Sequence, residues 1–270
     1  MDGIETLHRM KEDFAGTPDR IEPVYIALTA NAVSGAKEMY LAEGFMDYIS
    51  KPVEGKILEE KLKTYLGCHE DKIVTINNGV DVEKIHTAHP IDDLKTDKFV
   101  IVMVAGFREA KDQDTVIRAM ALLPKEQFEL WLVGDGVRRR NLELTIDNLQ
   151  MKDRVRLLGL RTDVPNILKT ADVVVMSSHW EGLSLSNIEG MSAGKPFVAS
   201  DVNGLREVTQ GYGLLFPHGD DEALAKIILR LSQDKNYYQE NASRCYERAK
   251  EYDIQKTVEG YFRVYEELIS

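Results

Sequence analysis

The chain has 270 residues, a formal net charge of −11, 43% hydrophobic and 29% charged residues, which bounds it to one large or two small globular domains. That acidic balance excludes a general nucleic-acid or anionic-membrane surface. No run reaches the ~18 apolar residues of a membrane span, the N-terminus does not read as a signal peptide, and the separated Cys68 and Cys245 suggest no disulfide framework, so a reducing cytoplasm is the expected location.

The first segment alternates helix and strand. The spacing of Ile4, Leu7 and Met10 predicts a helix over Gly3–Phe14, broken at Gly16-Thr17-Pro18. Val24–Leu28 is a continuous apolar run, as a buried parallel strand requires. A helix follows over Ser34–Glu43, stopped by Gly44, then a strand over Met46–Ile49 and a helix over Val53–Leu66. Two strands cannot bury both faces of a sheet, so this piece is expected to need a partner for its strand edge. Intramolecular pairing and a homodimer are the two candidates.

Gly67–Asp71 reads as a polar linker. Beyond it, strands are expected near 98–105, 128–133, 154–158, 172–176, 197–200 and 213–216. Helices are expected near 112–122, 137–149, 164–169, 186–193 and 221–233, with two more in the tail 236–270. This alternation predicts an α/β, Rossmann-like doubly wound parallel sheet. Such sheets bind ligands beyond the carboxyl ends of their strands. Arg138-Arg139-Arg140 is followed by Glu143 and Asp147, which reads as a solvated helix face.

The richest stretch follows the apolar strand Val173-Val174-Val175-Met176. It runs His179-Trp180-Glu181-Gly182-Leu183-Ser184-Leu185-Ser186-Asn187-Ile188-Glu189-Gly190 and ends at Gly194-Lys195-Pro196. Glu181 then sits on the loop after a strand, and Glu189 on the first turns of the next helix. The backbone N–H groups near Ser186 point into the same space. An anion site with a carboxylate on each side suits a nucleoside diphosphate-sugar: amides for the diphosphate, one acid for ribose hydroxyls, one for the sugar.

These residues resemble the E-x7-E motif of retaining GT-B glycosyltransferases, and the resemblance extends from about residue 72 to the C-terminus. Asn77-Asn78-Gly79-Val80-Asp81, Phe107-Arg108-Glu109-Ala110-Lys111, Gly134-Asp135-Gly136 and Gly159-Leu160-Arg161-Thr162-Asp163-Val164-Pro165 stand in family order. The resemblance implies Glu181 and Lys111 as catalytic residues. It implies Glu189, Ser186, Leu185, Gly182, Arg108, Gly134, Asp135 and Arg161 as donor-binding residues. The leaving diphosphate would be stabilised by Lys111 and by amides. Asp135 either shapes a turn or touches the nucleotide; Arg161 either borders the base or stays a surface residue. His179 is a candidate for the sugar pocket, and Glu207 reads as structural. The sequence departs from the family at Gly106, where an arginine is usual; Arg108 is the nearest substitute. No cofactor is implied, with a UDP- or GDP-type sugar as substrate. No metal is expected, since no second ligand stands at metal spacing from His179.

The first 66 residues resemble the second half of a response-regulator receiver, a flavodoxin-like fold. Met1-Asp2-Gly3-Ile4-Glu5, Ile26-Ala27-Leu28-Thr29-Ala30-Asn31 and Asp47-Tyr48-Ile49-Ser50-Lys51-Pro52 carry the match. Thr29 and Lys51 stand at the family's switch hydroxyl and phosphate-pairing lysine, and Lys51-Pro52 is expected cis. The phosphoacceptor aspartate and the first three strands are absent. The expected organisation is a receiver-like segment at 1–66, a linker at 67–71 and a donor-binding domain at 72–270. The record is that of half a receiver joined to half a glycosyltransferase, lacking an acceptor domain. It is one that gene fusion, truncation or engineering would leave, with an artificial chimera favoured. Weak turnover by the chain alone is expected. The rival is a non-enzymatic scaffold of two complementary fragments.

Overall fold

The computed structural model describes Ile4, Leu7, His8, Lys11 and residues 25–29, 36–50, 55–67 and 74–269. The chain divides into two compact units, Met1–Thr75 and Ile76–Ser270.

In the first unit, β1 (Ile26–Thr29) is followed by α1 (Ala36–Ala42), β2 (Asp47–Ser50) and α2 (Gly55–Leu66). The two strands pair in parallel, Ile26 against Asp47 and Thr29 against Ser50. Ile4, Leu7, His8 and Lys11 are helical, in the span expected for the first helix. Asp47 is buried and pairs with Lys61 of α2. It also accepts from Tyr65 Oη and the Tyr48 amide, each at 2.8 Å. Burial alone would raise its pKa, but Lys61 and these hydrogen bonds outweigh it and hold the carboxyl below its ordinary value. One acid thus ties the last helix to the sheet. Lys51 and the Lys51-Pro52 bond lie outside the described residues, as do Cys68, Asp2 and the side chain of Thr29.

The second unit begins with α3 (Val82–His86), then β3 (Phe99–Val104), α4 (Gln113–Leu122), β4 (Phe128–Val133), α5 (Arg139–Asn148), β5 (Val155–Gly159) and α6 (Val164–Thr170). It continues with β6 (Val173–Met176), α7 (Leu185–Ser192), β7 (Phe197–Ser200), α8 (Leu205–Thr209), β8 (Leu214–Phe216), α9 (Asp221–Gln233), α10 (Lys235–Ala249) and α11 (Ile254–Ile269). All six strands are parallel, in the order β5-β4-β3-β6-β7-β8. The chain winds outward from β3 to β5, returns to β6 beside β3, and winds outward the other way. This is the Rossmann-like α/β arrangement of GT-B folds, and its switch point lies between β3 and β6.

Alternation along the strands builds two cores. Ile101 and Met103 face one side with Val116, Ile117 and Met120 of α4, Leu142 of α5 and Leu224 and Ile228 of α9. Val100, Val102 and Trp131 face the other, with Ile85 of α3, Ile167 of α6, Ile188 and Met191 of α7 and Val208 of α8. Both sheet faces are therefore covered, which is why the central strands β3 and β6 read as unbroken apolar runs. The buried Arg154 donates to the carbonyls of Met120 and Leu123 and so satisfies the C-terminal end of α4. Burial pushes the thiol of Cys245 up to about 12, so it acts as a packing group rather than a nucleophile. Among the described residues, no helix is long and apolar enough to cross a membrane.

Candidate functional site

The loops at the carboxyl ends of β3 and β6 meet at the switch point, and the site is built there. After β3 the chain passes Gly106 and Phe107, makes a short 3-10 turn over Glu109–Lys111, and enters α4 through Asp112. Asp112 sits at φ 46°, and its side chain accepts from the Thr115 amide, so it caps α4 and orients Lys111 just before it. After β6, Ser177 and Ser178 are fully buried. Ser177 Oγ donates to the carbonyl of Asp112 at 2.7 Å and also to that of Lys111, stitching the two loops together.

Lys111 Nζ and Glu181 form an ion pair across the switch point. The Glu181 side chain is 11% exposed and that of Lys111 24%, so water screens the pair little. Ser178 Oγ donates to the same carboxylate oxygen at 2.7 Å. The two residues expected to be catalytic are therefore in direct contact.

α7 begins at Leu185 with Ser184 as N-cap, but the Ser184 hydroxyl turns away toward Met176 Sδ and caps nothing. The amides of Leu185 and Ser186 are left without an intrahelical acceptor, and among the described residues no other backbone bond takes them up. These amides and the helix dipole favour an anion. Glu189, in the second turn of α7, is half-buried and has no hydrogen-bond or ion-pair partner among the described residues. Burial raises its pKa above the ordinary carboxyl value. Gly182 adjoins Glu181 on the exposed part of the loop.

The remaining candidates fall at neighbouring strand ends. Arg108 is exposed and makes no ion pair among the described residues. Gly134 and Asp135 follow β4, where the Asp135 carbonyl accepts from Phe107 N at 2.9 Å and its carboxylate pairs with Arg139. Asp135 thus holds the β3 and β4 loops together. Arg161 is engaged by Asp163 through two hydrogen bonds of 2.8 and 2.6 Å. Arg138, the N-cap of α5, pairs with Asp114 at 2.7 Å with both side chains largely buried, and Arg139 pairs with Asp135 and Glu143, so of the three only Arg140 keeps the exposed place expected of a solvated face. A depression of about 510 Å³ lined by Asp97, Phe99, Gln127 and Asp172 lies at the opposite, amino-terminal edge of the sheet, away from these residues.

Ser177 and Ser178 are site residues that the motif spacing does not single out; their place between β6 and Glu181 is the available signal. The expectation that no second ligand stands at metal spacing from His179 concerns the linear sequence; the fold brings two such groups close to it. His179 Nδ1 faces His218 Nε2, and Asp112 Oδ2 lies 3.9 Å from His179 Nδ1. These positions are 67 and 39 residues from His179, so linear spacing hides what the sheet order brings together.

A family model described as glycosyl transferases group 1 matches residues 84–252. The chain is 33% identical over 180 residues to the UDP-Gal:alpha-D-GlcNAc-diphosphoundecaprenol alpha-1,3-galactosyltransferase of Escherichia coli, covering 61% of this chain and 46% of that protein. It is 39% identical over 146 residues to the lipopolysaccharide core biosynthesis glycosyltransferase LpsD of Rhizobium meliloti, covering 53% and 42%. Among solved structures it is similar to HepE of Anabaena in complex with UDP, with a TM-score of 0.67 and 26% identity over 77% of this chain and 60% of that one. The chain spans about half the length of the curated relatives it matches.

Proposed function

The chain belongs to the group 1 glycosyl transferases, and we propose that its second unit binds a nucleoside diphosphate-sugar at the switch point and transfers the sugar with retention. The observation that carries this reading is the Lys111–Glu181 pair, with Glu181 on the loop that leads into the uncapped N-terminus of α7. In the free protein the two charges neutralise each other. An incoming diphosphate offers Lys111 a stronger, doubly charged partner, and the Leu185 and Ser186 amides receive the same group. Lys111 then stabilises charge as it develops on the leaving diphosphate. Glu181, released from Lys111 but still held by Ser178, is left to accept from sugar hydroxyls. Glu189 accepts from ribose hydroxyls. UDP-sugars are the first donors to test, since HepE, a similar structure, holds UDP. Turnover by this chain is expected to be weak. With Gly106 in place of a second cation, Lys111 works with only the exposed Arg108.

Glu189→Gln tests the assignment by moving two quantities in opposite directions. The folded-state pKa of Glu189 is raised by burial, so its contribution to stability is complete below its ordinary pKa, about 4.3, and is lost as pH rises through the folded value. At pH 7 the ionised, unpartnered carboxylate is a cost. Glu189→Gln should therefore melt higher than wild type at pH 7, with the gain vanishing near pH 4. Affinity for UDP should fall by about 1–3 kcal/mol, the scale of a hydrogen bond to a charged group. Calorimetric titration with UDP, GDP and ADP measures the second effect. Equal nucleotide affinity in the two proteins would sink the ribose assignment.

For the first unit we propose a receiver-like segment, joined to the donor unit through residues 67–71. The β-α-β-α order with parallel β1 and β2 supports the reading. Residues 1–66 match the half of a receiver that follows its phosphoacceptor, so within them Thr29 and Lys51 have no acceptor aspartate. A small phosphodonor such as acetyl phosphate is expected to leave residues 1–66 unlabelled, and mass spectrometry detecting an acyl phosphate there would refute it. The rival scaffold reading predicts no sugar transfer at all, so transfer from a UDP-sugar counts against it.

A further inference from the structure

Three loops that leave the sheet at its carboxyl edge bring together two imidazoles and a carboxylate. Asp112 comes from the β3 loop, His179 from the β6 loop and His218 from the loop after β8. Their ligand atoms all lie within 4.8 Å of one another. His179 Nδ1 and His218 Nε2 point at each other, with the rings nearly perpendicular at 73°. Asp112 Oδ2 stands 3.9 Å from that same His179 nitrogen. It is too far for a hydrogen bond, yet close to the spacing of two ligands on one ion. With bonds of 2.0–2.1 Å, tetrahedral ligands stand roughly 3.3 Å apart.

We propose that Asp112 Oδ2, His179 Nδ1 and His218 Nε2 form a binding site for a divalent transition-metal cation of the zinc class. Two nitrogens and one oxygen suit zinc, cobalt or nickel rather than magnesium or calcium, which prefer all-oxygen shells. Three protein ligands leave a coordination position for water. The outer contacts fix the ligands. Thr115 Oγ1 donates to Asp112 Oδ2 at 2.5 Å, and the His179 amide donates to the Ala110 carbonyl at 2.8 Å. Asp112 is buried and His179 half-buried, whereas His218 is exposed and gives an ion its entry. Bound there, the ion would staple the loops of β3, β6 and β8. The inference does not depend on the donor-site reading, because its test contains no nucleotide.

The test uses the full chain without a histidine tag, stripped by chelator and titrated with cobalt chloride. Visible ligand-field bands of low-symmetry cobalt should saturate at one equivalent, and zinc should abolish them. His218→Ala and His179→Ala should lose the bands. Asp112→Asn, which keeps an oxygen to cap α4, should weaken binding at least tenfold. Zinc should raise the melting temperature of wild type and not that of His218→Ala, while magnesium does neither. Bands that never saturate, bands that survive in His218→Ala, or an equal shift with magnesium would each overturn the proposal. His218 is exposed, so its removal leaves the fold intact and the result interpretable.

Discussion

Lys111→Ala is expected to lower unfolding stability by about 2–3 kcal/mol and to reduce sugar transfer roughly 10²–10³-fold. The stability loss follows from what the substitution leaves behind. Glu181 stays in a site where its side chain is 11% exposed, with the Ser178 hydroxyl as its remaining partner among the described residues. Removing one member of a fully buried pair typically costs more, but the 24% exposure of Lys111 lets water relieve part of the penalty. The activity loss has a different origin, since in the proposed function the cation acts on the leaving group. The two separate in a double-mutant cycle with Glu181→Ala. In urea titrations the coupling should exceed 1 kcal/mol, because removing both charges leaves no orphan. A coupling near zero would mean that the pair contributes nothing to the fold and that Lys111 is held by its backbone alone.

The sequence made the second unit legible because burial on both faces leaves an unambiguous mark. Runs such as Phe99–Val104 and Val173–Met176 are apolar throughout, and the six expected strands match six observed ones within about two residues. The helices Val82–His86 and Leu205–Thr209 escape a sequence reading for the converse reason. Five residues span little more than one turn, so no 3.6-residue period can show. At the site, Glu181, Lys111 and the start of α7 were legible because each is tied to a strand end. Their pairing was not, since it depends on β6 lying beside β3 rather than beside β5. The cluster of Asp112, His179 and His218 was hidden in the same way. The start of α7 near Ser186 was legible, but not that its N-cap, Ser184, turns its hydroxyl to Met176 and leaves the amides open.

Gly204→Ala is expected to be among the most damaging single substitutions near the site, costing about 3–5 kcal/mol. Gly204 has φ +81° and ψ −48°, a conformation that side chains rarely adopt. A Cβ there would stand 2.3 Å from the carbonyl oxygens of both Glu181 and Gly182. Those are backbone atoms, so no rotamer change relieves the overlap. Either the loop after β7 withdraws or the Glu181 loop does. If the Glu181 loop moves, the contact with Lys111 opens, and donor binding falls together with stability. Gly182→Ala is the control. Nothing lies within 4 Å of its would-be Cβ, and its backbone needs no positive φ. It should melt within about 1 kcal/mol of wild type, yet lose UDP affinity, because the new methyl group occupies donor space beside Glu181. Thermal melts and nucleotide titration of the two variants distinguish a glycine needed for close backbone approach from one needed for ligand room. Wild-type melting by Gly204→Ala would show that the β7 loop does not press on the Glu181 carbonyl.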